Sequence, residues 1–114
     1  MHEVGLLSAM LTTIEGIMEK EGLTRVDKIV LEVGEISGVV PHYIEECFPA
    51  ATYKTRFADT KLEMIVIPGI IRCNRCQTEF NAYACDLKCP KCGNNSDFTP
   101  LTGREFTIKE IEAC

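Results

Sequence analysis

From Val4 to Met18, apolar residues recur at alternating steps of three and four: Val4, Leu7, Leu11, Ile14 and Met18. That interval gathers them on one face of an α-helix and leaves Glu15, Glu19 and Lys20 on the other. Gly22 supplies a C-terminal stop, while Gly5 and Gly16 inside the helix each weaken it by roughly 1 kcal/mol. Met10 and Met18 read as core side chains. The period then changes to two. Ile29, Leu31 and Val33 alternate within residues 28–33 and predict a strand that ends at Gly34. Pro41 suits the first turn of a second helix, because its missing N–H would be unpaired there. That helix should run through Ile44, Cys47 and Phe48, with a kink or break at Pro49, which removes the bond to the Glu45 carbonyl. Leu62, Met64 and Val66 alternate in a second strand from Lys61 to Ile67, closed by Pro68 and Gly69, and residues 104–111 read as a third.

Between the second and third strands lies a stretch rich in Cys, Lys, Asn, Asp and Thr, with too few aliphatic residues to form a core unaided. The pattern predicts an α+β fold in which two helices cover a three-stranded sheet formed by residues 1–69 and 103–114. A metal-stapled module is inserted at residues 70–102.

At 114 residues the chain can bury one core and a small satellite module. No apolar run approaches the roughly 20 residues that cross a bilayer. Glu3 and Glu15 interrupt the first segment, and no basic leader or small-residue cleavage site follows, so the reading is cytoplasmic, with no membrane partner. Seventeen acidic against twelve basic side chains give a net charge of −5 and no general pull toward nucleic acid.

Seven cysteines, an odd number in a reducing compartment, argue for metal binding over disulfides. Cys73 and Cys76 form one Cys-x-x-Cys pair and Cys89 and Cys92 another, twelve residues apart, close to the spacing of paired zinc knuckles. Four thiolates with no open position make a structural site, and iron in the same cage is the rival. Gly93 allows the tight geometry after the second pair. Cys85 lies four residues before Cys89 and could displace one ligand, although the symmetric pairs fit better. Cys47 reads as a small buried hydrophobe and Cys114 as an exposed thiol. His42 follows Pro41 with Glu45 and Glu46 nearby, and the pair of carboxylates reads as a solvated face. No Walker loop, no histidine pair at i, i+4 and no base beside a thiol points to an enzyme.

The opening residues Met1, His2 and Glu3 carry different chemistry. The α-amine, the deprotonated backbone nitrogen of His2 and its imidazole can close fused chelate rings that favour a planar set of nitrogens. Planar nitrogen coordination suits Ni(II) or Cu(II) rather than Zn(II). Glu3 would also sit in the first helical turn, where a carboxylate interacts favourably with the helix dipole.

Met-His-Glu opening an amphipathic helix, followed by strand, helix, strand and two Cys-x-x-Cys pairs, resembles the HypA/HybF family of hydrogenase maturation factors over essentially the whole chain. The resemblance implies a nickel metallochaperone that works with a HypB-type GTPase and serves the [NiFe] hydrogenase large subunit. It implies nickel cargo at Met1, His2 and Glu3, and structural zinc at Cys73, Cys76, Cys89 and Cys92. Two other readings compete. A zinc-ribbon adaptor for nucleic acid or transcription machinery would use Arg72, Arg75, Lys88 and Lys91, but has few aromatics for stacking bases. A rubredoxin-like electron carrier would hold iron at the same four cysteines.

Overall fold

The computed structural model describes residues 2–114, with side chains from Glu3 onward. Helix α1 spans His2–Glu21. It buries Leu7, Met10, Leu11, Ile14 and Met18. Val4, expected on this stripe, remains exposed. Periodicity reports which face is apolar but not the length over which that face is covered. Gly22 ends the helix at φ +69, and Leu23 N–H reaches back to the Met18 carbonyl at 2.8 Å. This is the left-handed glycine stop expected of a helix C-terminus.

Strand β1 spans Val26–Gly34, longer at both ends than its alternation indicated. Ile29, Val30 and Leu31 are all buried, so both strand faces are covered, as befits the central position in the sheet order β2-β1-β6. Helix α2, Pro41–Thr52, packs against α1. Pro49 does not break it. The helix continues to Thr52, whose hydroxyl donates to the Phe48 carbonyl at 2.8 Å, and buried Ile44 and Phe48 hold its inner face. Losing one backbone bond near the C-terminal end is tolerated because few residues follow that would need the ladder continued.

Strand β2 covers Lys61–Ile67 as its alternation predicts. The Thr60 hydroxyl donates to the Val26 carbonyl and Glu35 N–H to the Ile67 carbonyl. Both sequences therefore advance together, so β2 is parallel to β1 and α2 is the crossover that a parallel pair requires. Two later strands sit where no alternation was visible: β3 at Ile70–Cys73 and β4 at Glu79–Asn81. A third, β5, covers Phe98–Pro100. The last strand, β6, is Phe106–Ala113, two residues later than expected. Arg25 pairs with Cys114 at one end, and Gly34 with Glu105 at the other, so β6 runs antiparallel to β1. Lys28 on β1 bridges Glu63 on β2 and Glu112 on β6 at 3.1 and 3.8 Å.

The chain groups into two compact units. The first joins residues 1–32, 40–65 and 107–114, and so contains both helices and most of the β2-β1-β6 sheet. The second joins Val33–Val39 with Val66–Phe106. In it β3 is central in the order β4-β3-β5, with Arg72 paired to Glu79 on one side and Thr99 on the other. One face of this small sheet contributes Ile71, Cys73 and Phe80 to a core completed by Ala82 and Cys89, with Ile36, Cys85 and Phe98 packed around it. Phe98 meets Phe80 edge-on at 5.6 Å.

Residues 33–39 belong to this second unit for two reasons. A Cβ at Gly34 would overlap the Gly103 carbonyl, and one at Gly103 would lie 2.6 Å from the Pro68 oxygen, so the three backbones cross in near contact. The Glu35 carboxylate then accepts bonds from Gly69 N–H at 2.8 Å and Asn81 Nδ2 at 3.0 Å. Those two donors hold its pKa below the ordinary carboxylate value, with partial burial opposing them.

The glycines give a sharp contrast in stability. Gly34→Ala should cost about 3 kcal/mol or more, since backbone on both sides must move. Gly16→Ala is exposed in mid-helix with nothing within 4 Å, and should gain about 0.5–1 kcal/mol. Thermal unfolding of the metal-loaded protein measures both. An alanine tolerated at position 34 would contradict the close crossing.

Candidate metal centre

The two Cys-x-x-Cys segments form matching turns. In the first, Cys73 N–H donates to the Thr78 carbonyl and Gln77 N–H to the Cys73 carbonyl, both at 2.8 Å. In the second, Cys89 N–H donates to the Asn94 carbonyl at 2.8 Å and Gly93 N–H to the Cys89 carbonyl at 2.9 Å. The residue after each pair has a left-handed backbone, Gln77 at φ +66 and Gly93 at φ +79. Position 93 takes this conformation without strain, whereas Gln77 takes it at a cost that the turn must offset.

These turns bring the sulfurs of Cys73, Cys76, Cys89 and Cys92 within 4.8 Å of one another. The Cys73–Cys92 and Cys76–Cys89 sulfurs are each 3.5 Å apart. A tetrahedral zinc with bonds of about 2.3 Å sets sulfurs about 3.8 Å apart, so the cluster fits the ion with small adjustments. Cys73 and Cys89 are buried, Cys76 is partly buried and Cys92 is exposed. Cys85 is not among the four and instead packs on the core beside them.

Donors converge on the sulfurs. Cys73 accepts from Arg75 N–H at 3.4 Å and from Asn94 Nδ2 at 3.3 Å. The Cys76 thiol lies 3.2 Å from the Thr78 hydroxyl. Burial pushes the Cys73 thiol up, but the Asn94 amide and the backbone N–H groups of Cys76 and Arg75 outweigh it and bring its pKa down to about 6. Cys76 is lowered chiefly by Thr78. The Asn94 backbone amide pulls Cys92 down, yet burial and the three neighbouring thiols together push it up to about 12. Cys73 therefore gives up its proton well before Cys92. Thr78 and Asn94, each two residues beyond the second cysteine of its pair, were not evident from the sequence. Neither residue type is a usual zinc ligand, and no motif marks them.

Met1 and the His2 side chain lie outside the described residues. Glu3 is partly buried in the first turn of α1. His42 is engaged with Glu46 at 2.9 Å, one helical turn away and exposed. Cys47 is half-buried rather than buried, and Cys114 is exposed beside the Arg25 guanidinium. None of the described helices is long and apolar enough to cross a membrane.

An α+β fold bearing a closed four-thiolate cage defines a metal-handling protein whose zinc is structural. Residues 1–113 match the family model described as "Hydrogenase/urease nickel incorporation, metallochaperone, hypA". Hydrogenase maturation factors HypA of Dechloromonas aromatica and Geotalea uraniireducens are each 35% identical over 112 residues, covering 98% of both chains. The chain therefore belongs to the HypA family of nickel metallochaperones of hydrogenase maturation. The solution structure of the nickel metallochaperone HypA from Helicobacter pylori superposes with a TM-score of 0.66 at 18% identity, covering 97% of this chain and 96% of that one. A second HypA solution structure gives 0.68 at 21% identity, covering 100% and 97%. At these identities the two superpositions speak to the fold alone.

Zinc binding to the metal-free chain at pH 7 should release fewer than four protons, because Cys73 already sits at about 6. The remaining thiols must still lose protons to the ion. Apparent affinity should therefore rise with pH through neutrality and fall on acidification. Calorimetry in buffers of different ionisation enthalpy counts the protons, and release of four would contradict the lowered Cys73.

Proposed function

We propose that the protein binds Ni(II) through Met1, His2 and Glu3 and delivers it to a [NiFe] hydrogenase large subunit together with a HypB-type GTPase. Zinc at Cys73, Cys76, Cys89 and Cys92 keeps the inserted module folded. On this reading residues 1–69 and 103–114 handle the cargo, and residues 70–102 hold the staple.

The observation that carries the reading is that the chain belongs to a nickel-incorporation family while the ligand cluster assembled among the described residues is closed. Among the described residues, only the four cysteines bring three or more candidate ligand atoms together. Four thiolates leave a metal no position to exchange with a partner. Cargo needs a second, more open site, and the amine, backbone nitrogen and imidazole at positions 1 and 2 supply a nitrogen set suited to nickel. Such a chelate is small, and a recipient site can displace it stepwise. Its amine and imidazole have reference pKa values of about 7.7–8.0 and 6.5, so protons compete with nickel near neutrality.

Calorimetric titration of Ni(II) into zinc-loaded protein, with the visible d–d band followed alongside, tests this directly. Protein starting at an authentic Met1 should show one nickel site that weakens steeply below pH 7. His2→Ala and a version with residues added before Met1 should both lose it. Undiminished binding in both variants would move the cargo site elsewhere and overturn the proposal.

A further inference from the structure

We propose that Asn94 is the positioning residue of the zinc cage, fastening one cysteine turn to the other through the sulfur of Cys73. This rests on the reading that the four cysteines hold zinc. Asn94 belongs to the second turn, yet it touches three of the four ligand residues. Its carbonyl accepts Cys89 N–H at 2.8 Å, its backbone N–H faces the Cys92 thiol, and its side-chain amide crosses to Cys73 in the first turn at 3.3 Å.

Both ends of that side chain are used. Nδ2 also donates to the Asp97 carbonyl at 2.7 Å, while Oδ1 accepts from Ser96 and Asp97 N–H at 3.2 Å each. The residue is 3% exposed, so its amide has no competing water. Thr78, the matching position of the first turn, stays local: its carbonyl meets Cys73 and its hydroxyl Cys76, both of its own pair. The two turns are alike in backbone but not in role.

A zinc tetrathiolate carries two negative charges, and a donor aimed at one sulfur lowers the cost of burying that charge. The donor also fixes where the sulfur sits. Without it, Cys73 keeps its turn but loses its hydrogen bond from the opposite turn, and its sulfur becomes more electron-rich.

Asn94→Ala and Asn94→Asp separate this role from a purely structural one. Aspartate keeps the acceptor for Ser96 and Asp97 N–H but sets a carboxylate against the Cys73 sulfur. If Asn94 only shapes its own turn, aspartate should serve better than alanine. If it serves the thiolate, aspartate should be worse. We expect zinc retention against a chelator to fall about tenfold to a hundredfold in the alanine variant, and further in the aspartate variant. Alkylation of the zinc-loaded full chain, mapped by mass spectrometry, should shift toward Cys73 in both variants from the exposed Cys92 of the parent. Aspartate equal to or better than alanine, or an unchanged order of alkylation, would overturn the proposal. A parent protein that binds no zinc would instead overturn the zinc reading beneath it.

Discussion

The second unit has a small apolar core, and a metal held by its four clustered cysteines would be the strongest link in it. Its buried core is Ile71, Cys73, Phe80, Ala82 and Cys89, so two of the five residues are ligands. Burying an isoleucine or phenylalanine contributes about 1.5–3 kcal/mol. Ordering a chain costs roughly 1–2 kcal/mol per residue in backbone entropy. A few apolar side chains and three strands of three or four residues do not close that gap. A structural zinc, with apparent binding free energies of about 10–16 kcal/mol in small domains, would be the largest single contribution available to the unit. The β4-β3-β5 sheet follows from the cage, since Cys73 ends β3 and its turn leads toward β4.

That constraint also separates the two metals. A cage that must hold a fold together is closed and leaves no position for exchange. A carrier must surrender its ion. One site cannot meet both demands well, and the sequence offers two kinds of candidate donors, four soft thiolates in the module and, in the proposal above, a nitrogen set at Met1 and His2. Softness and geometry sort the ions without any need for large differences in affinity.

Much of this was legible in the sequence, and the reasons are specific. Leu7, Leu11, Ile14 and Met18 announced α1 because they lie under a continuous covering, whereas Val4 obeyed the same interval and stayed exposed. The clustering of the four cysteines was legible because a Cys-x-x-Cys pair is a spacing that lets one tight turn aim two sulfurs at a common point whatever surrounds it. Strands β3, β4 and β5 were not, because three or four residues do not establish a period. The crossing of Gly34 and Gly103 joins positions far apart in sequence, and glycine at either alone says only that a turn or close approach is possible. Asn94 was hidden for a related reason: its partner sulfur lies in the other turn, and its own turn looks complete without it.

Glu35 extends the reach of the cage. Its carboxylate binds Asn81, at the end of β4, and Gly69, just before β3, while Ala82 N–H returns to the Gly69 carbonyl at 2.9 Å. Asn81 in turn receives Tyr83 and Ala84 N–H at the start of the segment that leads to Cys85 and Cys89. Residues 33–39 are thus tied by a charged group to the backbone that the second cysteine pair anchors. A charge-assisted bond from a partly buried carboxylate is stronger than a neutral one. It is also a bond that only the folded module can offer, because Gly69 and Asn81 meet at one oxygen only when β3 and β4 are paired. Order imposed at the cage is therefore passed to a segment that contains no cysteine, through contacts that exist only while the module is folded.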